Sequence, residues 1–139
     1  MPESREIPWS ELRAFARDAT TRSYAPYSHV RVGAAAWSES GAFVLGSNVE
    51  NASYGLTLCA ECSLVGDLMR QGGGRLTALS VVAGDGEPLA PCGRCRQLLF
   101  EHGGAALLID QGHLLPPLAL GELLPQAFGP EDLPQRRTP

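Results

Sequence analysis

The sequence contains no lysine; all eleven of its basic residues are arginine. A chain without lysine has no phosphate loop of the Walker type. The glycine run Gly72-Gly73-Gly74 follows a predicted helix instead of preceding one, so it reads as a helix stop. Basic residues are also outnumbered: 15 acidic residues leave a formal net charge of -4, which argues against the basic face that nucleic-acid binders carry. No window approaches the ~18 consecutive apolar residues of a membrane span. The start, Met1-Pro2-Glu3-Ser4-Arg5-Glu6, lacks a basic segment followed by an apolar one, so no secretory leader is expected and the expected compartment is the cytoplasm. Internal repeats, linkers and low-complexity segments are absent too. None of the three histidines, His29, His102 and His113, falls in a metal-ligand motif: His29 reads as a loop residue and His102 as the end of a helix.

What remains is a chain of 139 residues, 44% hydrophobic and 19% charged, a balance that suits one globular domain with one core. Apolar residues at helical spacing predict a helix over 9–22, and a loop containing Pro26 follows. Strands are predicted over 30–38 and 42–49, joined by the turn Glu39-Ser40-Gly41. A loop at 51–55 leads into a helix over 58–71, then a buried strand over 76–83. Pro91 precedes a helix reaching about His102, and 105–109 reads as another strand. A short helix is expected near 120–124 and a loose tail at 135–139. This order implies a single α/β domain over 1–139, a three-layer sandwich with a mixed central sheet covered by helices.

All four cysteines fall into two pairs, Cys59-Ala60-Glu61-Cys62 and Cys92-Gly93-Arg94-Cys95. In a reducing compartment such pairs read as metal ligands or reactive thiols rather than disulfides, and two C-x-x-C pairs are a strong zinc signal. One reading is a closed structural site with four sulfurs. Against it stands the spacing: residues 63–91 form a longer intervening segment than the roughly 15–20 residues of the common structural pattern. The other reading is a catalytic zinc with three protein ligands and one open position for water. Glu61 is the only acidic residue inside either pair and suits a proton shuttle beside the metal. Residues two apart on a helix point about 200° apart, so Cys59 and Glu61 share a site only at the helix tip. Cys92, after Pro91, also sits at a predicted helix start, and two helix N-termini aimed at one metal would stabilise thiolates.

The pattern Cys-x-Glu followed by Pro-Cys-x-x-Cys is the signature of zinc deaminases. The run Asn48-Val49-Glu50-Asn51-Ala52-Ser53-Tyr54-Gly55 resembles the nucleoside-binding segment of the short, homotetrameric cytidine deaminases. Tyr24-Ala25-Pro26-Tyr27-Ser28 with Val32-Gly33-Ala34-Ala35, and the continuation Arg96-Gln97, are similar to that family as well. The resemblance spans roughly residues 9–128. It implies hydrolytic deamination of cytidine and deoxycytidine in pyrimidine salvage. It further implies one zinc ion per subunit held by Cys59, Cys92 and Cys95, with Glu61 as general acid/base. Asn48 and Glu50 would bind sugar hydroxyls, and the backbone of Ala60 would bind the base. Tyr54 would lie at a subunit contact near the site, and Phe128 would reach a neighbouring subunit's substrate in a homotetramer with shared active sites.

Two positions depart from the family pattern. Val30 stands where many members have a phenylalanine that packs on the nucleoside. Cys62 stands where an arginine commonly donates hydrogen bonds to the zinc-bound thiolates; Arg94 or Arg96 is expected to take over. Cys62 itself stays open between a fourth ligand and a small thiol beside the site. Two other readings keep the zinc motif: a deaminase for a polynucleotide or another cytosine-bearing molecule, and a non-catalytic zinc module.

Overall fold

In the computed structural model, residues 6–133 are described; the expected tail at 135–139 lies outside them. The elements are α1 (Trp9–Thr20), β1 (Val32–Ser38), β2 (Phe43–Ser47), a 3-10 turn at Tyr54–Leu56, α2 (Ala60–Arg70) and β3 (Leu76–Ala83). They continue with α3 (Gly93–Gly103), β4 (Leu108–Ile109), β5 (Leu118–Ala119), α4 (Leu120–Leu123) and a 3-10 turn at Pro130–Asp132. One sheet runs in the order β2-β1-β3-β4-β5. It is mixed: β3 and β4 are parallel, joined through α3, and the other neighbours are antiparallel.

Alternation along the central strands divides the core in two. Ala34, Ala36, Leu79 and Val81 face α2 and α3, together with Leu64, Leu68 and Leu99. Ala35, Ala78 and Val82 face the opposite way, onto Leu12 and Ala16 of α1. The result is a three-layer α/β sandwich. Two glycines set how closely the layers approach. A Cβ on Gly33 would stand 1.9 Å from the carbonyl oxygen of Ala16, and one on Gly46 would stand 2.2 Å from that of Ala60. Only glycine lets α1 press on β1 and the first turn of α2 press on β2 at those points.

Helix α2 is also tied to β2 by a polar stripe one turn apart. Ser63 Oγ accepts from Ser47 N–H at 2.8 Å, Asp67 Oδ2 accepts from Leu45 N–H at 2.9 Å, and Gln71 Nε2 donates to the Phe43 carbonyl at 3.1 Å. These bonds cover the open edge of the sheet and fix the roll and height of α2. On the other face, Arg13 grips Asp110 with two bonds, 2.9 and 2.7 Å, while Ser80 Oγ donates to the same carboxylate at 2.8 Å. Asp110 is 4% exposed, and this clamp anchors α1 to the turn after β4.

β3 spans the predicted 76–83, and several other elements are shorter than the pattern predicts. β1 begins at Val32 rather than at 30, because His29 takes a left-handed φ of 60° and Asn48 holds the preceding backbone. α2 begins at Ala60, with Cys59 as its N-cap. The strand expected over 105–109 shrinks to Leu108–Ile109, and the edge strand Leu118–Ala119 is an addition. Two-residue strands carry too little alternation to be read from sequence.

Candidate active site

Cys59 caps α2 and Cys92 caps α3, with Cys95 in the first turn of α3. The three sulfurs lie within 4.8 Å of one another, the one group of its kind among the described residues. Three sulfurs each ~2.3 Å from a tetrahedral ion stand about 3.8 Å apart, so this arrangement fits zinc with a fourth position left open. Cys62 is outside the group. Burial pushes the Cys59 and Cys95 thiols up, whereas the backbone N–H of Cys95 chiefly lowers Cys92. The three donors differ in exposure: Cys95 is buried, Cys59 half-buried and Cys92 exposed.

Glu61 is 4% exposed and outside the sulfur group, yet its charge would bear on Cys59, Cys92 and Cys95 alike. Burial raises its carboxyl above the usual value, and its own backbone N–H offsets this in part. A carboxyl raised in this way is suited to take and return a proton. Ala60 occupies the first helical position, so its N–H has no acceptor within the helix. A cavity of about 210 Å³ joins Glu61, Cys59, Cys92 and Ala60 to Asn48, with Leu89 and Ala90 completing the wall.

Asn48 and Glu50 are both held in place by their neighbours. Asn48 Oδ1 accepts from Ser23 Oγ and from Val32 N–H at 2.9 Å, and Nδ2 donates to the Val30 carbonyl at 2.9 Å. One amide hydrogen of Asn48 is left for a ligand. The Glu50 carboxylate accepts from the Ser28 hydroxyl, from Ser28 N–H at 3.1 Å and from Tyr27 N–H at 3.0 Å. Those bonds, the Ser28 hydroxyl first, hold Glu50 below its ordinary carboxylate value. Glu50 is thus a fixed acceptor and not a freely solvated loop carboxylate. It lines a second cavity of about 280 Å³ with Tyr27, Ser28 and Tyr54.

Tyr54, Val30 and Phe128 are exposed, at 75%, 54% and 57%. Tyr54 packs edge-on to Tyr27 with ring centroids 6.0 Å apart, and Gln97 Nε2 donates to the Phe128 carbonyl at 2.7 Å, pinning that segment to α3. Of Arg94 and Arg96, the second is already engaged: it donates to the Pro91 carbonyl at 2.8 Å and to the Leu123 carbonyl at 3.1 Å. Arg94 makes no such bonds among the described residues. Thiolate charge on Cys62 first, then on Cys59, Cys95 and Cys92, would raise its guanidinium above the ordinary arginine value.

Residues 9–109 match the cytidine and deoxycytidylate deaminase zinc-binding region. The chain belongs to that family. It is 56% identical over 132 residues to cytidine deaminase from Mycobacterium tuberculosis, covering 95% of this chain and 98% of that one. The crystal structure of the M. tuberculosis enzyme superposes with a TM-score of 0.85 over 89% of this chain and 99% of its own. The crystal structure of cytidine deaminase from Mycobacterium leprae, 50% identical, superposes with a TM-score of 0.83 over 87% of this chain and 100% of its own. Family membership brings zinc binding with it, and the three-sulfur cluster is where this chain can hold the ion. No helix among the described residues is long and apolar enough to cross a membrane.

Ser23 beneath Asn48, and Leu89 and Ala90 in the wall, carry no sequence signal, and Ser28, part of the Tyr24–Ser28 run, shows its bond to Glu50 only in the fold. The two serines bond to neighbours 25 and 22 residues away, beyond the reach of any local pattern.

Proposed function

We propose that the protein hydrolyses cytidine and deoxycytidine to uridine and deoxyuridine, releasing ammonia. The observation that carries this reading is a buried carboxyl, Glu61, lining one cavity with Cys59 and Cys92 of the three clustered thiols. One zinc ion per subunit, held by Cys59, Cys92 and Cys95, would supply the acidity that makes water nucleophilic near neutral pH. Glu61 accepts the proton of the attacking water and delivers it to the ring nitrogen beside carbon 4. It then takes the proton of the hydroxyl added at carbon 4 and delivers it to the amine, which leaves as ammonia as the carbon–nitrogen bond breaks and the carbonyl forms. The backbone N–H of Ala60 orients the pyrimidine. Asn48 and Glu50 hold sugar hydroxyls, the first as donor and the second as acceptor.

A free nucleoside suits this site better than a nucleotide or nucleic acid. Glu50 is a fixed negative charge at the sugar end and repels a phosphate, and the formal net charge of -4 opposes a polyanion. The exposed aromatics Tyr54 and Phe128 support a homotetramer in which neighbours complete each other's sites. Val30 would then make a smaller contact to the nucleoside than an aromatic would. Cys62 and Arg94 flank the metal cluster without belonging to it, and Arg94 would offset the charge of three thiolates. The whole reading is of a cytoplasmic enzyme of pyrimidine salvage.

The test is the ultraviolet absorbance of cytidine and deoxycytidine over time with zinc-analysed protein. Conversion is expected, and Glu61→Gln should lower kcat by ~10³-fold with zinc content unchanged. Near-parental turnover by Glu61→Gln would overturn the mechanism. No conversion by the zinc-loaded parent would shift the substrate to another cytosine-like compound.

A further inference from the structure

Residues 49 and 58 form an antiparallel pair through two reciprocal bonds: Val49 N–H to the Leu58 carbonyl at 2.9 Å and Leu58 N–H to the Val49 carbonyl at 2.8 Å. In such a pair the residues on either side oppose each other, 48 with 59 and 50 with 57, and all four point to the same face. Val49 and Leu58 take the other face and are exposed. The shared face therefore carries Asn48, Glu50, Cys59 and Thr57. Three of these four already have assigned parts in metal or nucleoside binding; Thr57 has none.

Thr57 also lines both cavities, the one holding Glu61 and the one holding Glu50. It is the residue they have in common. Its Oγ1 accepts a bond from Asn51 N–H at 3.3 Å, which fixes the hydroxyl at the rim of the loop. Its own hydrogen has no acceptor among the described residues. A hydroxyl anchored through one lone pair, with its proton free at the junction of two cavities, is a donor awaiting an acceptor. Beside it, Glu50 can only accept and so takes substrate O–H groups. Thr57 adds the complementary chemistry, a donor for an oxygen that carries no hydrogen.

We infer that Thr57 is a further substrate-binding residue, donating a hydrogen bond to an acceptor oxygen of the nucleoside where the pyrimidine joins the sugar. The inference rests on the nucleoside reading above. It assigns Thr57 to holding the substrate, not to moving protons, so its loss acts on KM.

The experiment is steady-state kinetics on the zinc-loaded parent, Thr57→Val and Thr57→Ser, with cytidine as substrate and melting temperature measured on each. Valine keeps the shape and removes the hydroxyl; serine restores it. Thr57→Val should raise KM by ~5–10-fold, as for a lost neutral hydrogen bond, with kcat within about two-fold. Thr57→Ser should return KM to within about two-fold of the parent. A Thr57→Val variant with parental KM would overturn the inference, as would a Thr57→Ser variant as impaired as Thr57→Val. A fall in kcat together with a lowered melting temperature would assign Thr57 to loop structure and also overturn it. An inactive parent would instead refute the nucleoside reading, and the two failures are told apart by that control.

Discussion

The starts of α2 and α3 carry the same motif in the same helical frame, yet they do different jobs. Each places a cysteine at the N-cap and a second three residues on: Cys59 and Cys62 on α2, Cys92 and Cys95 on α3. On α3 both sulfurs join the cluster; on α2 only the N-cap sulfur does. The difference is the roll of each helix. α2 buries Glu61, Leu64 and Leu68 along one stripe, so its second residue faces the site and Cys62 turns about 100° away. α3 buries Cys95, Leu99 and Gly103, so its third residue faces in and Arg94 faces out. The core leucines decide which member of the motif joins the sulfur cluster. The same rotation delivers an acid from one helix and leaves a cation on the outside of the other.

Cys95→Ala is the sharpest way to break this comparison. It removes the buried sulfur that α3 supplies, and no fourth sulfur stands in the cluster to replace it. Zinc content should fall to a small fraction of one equivalent, and turnover should drop by more than ~10³-fold. Metal analysis and cytidine turnover on the same preparation check it. Full zinc in Cys95→Ala would mean that Cys62 can swing into the cluster and that helix roll does not separate the pairs.

The motif, the layer order and the central strands were legible because each has a strong local signal: paired cysteines, alternation over 76–83, and the glycine stop after α2. The roll of the helices was not. On α2, Glu61 aligns with Leu64 and Leu68, but Cys62 aligns equally well with Val65 and Met69. The sequence offers two apolar stripes one residue apart. The fold chooses the first: Leu64 and Leu68 enter the core while Met69 is 50% exposed. Gly46 and the Ser63–Asp67–Gln71 stripe then lock that choice onto β2. On α3, Leu98, Leu99 and Phe100 are all apolar, and only packing singles out Leu99 as fully buried. The same limit applies to the two candidate cations. Arg94 and Arg96 are equivalent in sequence, and the carbonyls of Pro91 and Leu123 that engage Arg96 come into reach only in the folded chain.

A smaller effect is expected where the comparison concerns charge. Three thiolates need a nearby cation, and Arg94 is the one whose field partners are the four cysteines. Arg94→Gln should weaken zinc retention against a competing chelator by ~10-fold, within the range for residues that support ligands without touching the metal. Arg94→Lys should recover most of that loss, since it keeps the charge. Because Arg94 is exposed, part of its effect is screened, and the difference between parent and Arg94→Gln should shrink as salt is raised. Equal retention in the parent and in Arg94→Gln at low salt would remove the charge argument.

The smallest effect belongs to Cys62, and its smallness is what the helix-roll argument requires. Cys62 is half-buried and lies one turn from Cys59, so spacing alone would make it a ligand. Its rotation away from the cluster makes it a bystander thiol whose replacement by serine keeps size and polarity. Cys62→Ser should bind one equivalent of zinc per chain and turn over cytidine with kcat and KM within about two-fold of the parent. Mass spectrometry under non-denaturing conditions counts the metal, and the same absorbance assay reads the rate. Loss of zinc in Cys62→Ser would make the two helix starts equivalent after all, with four sulfurs around a closed metal and no open position for water. Set beside the collapse expected for Cys95→Ala, an unchanged Cys62→Ser would show that one rotation of a helix, set by two leucines in the core, separates a catalytic three-sulfur site from a structural four-sulfur one.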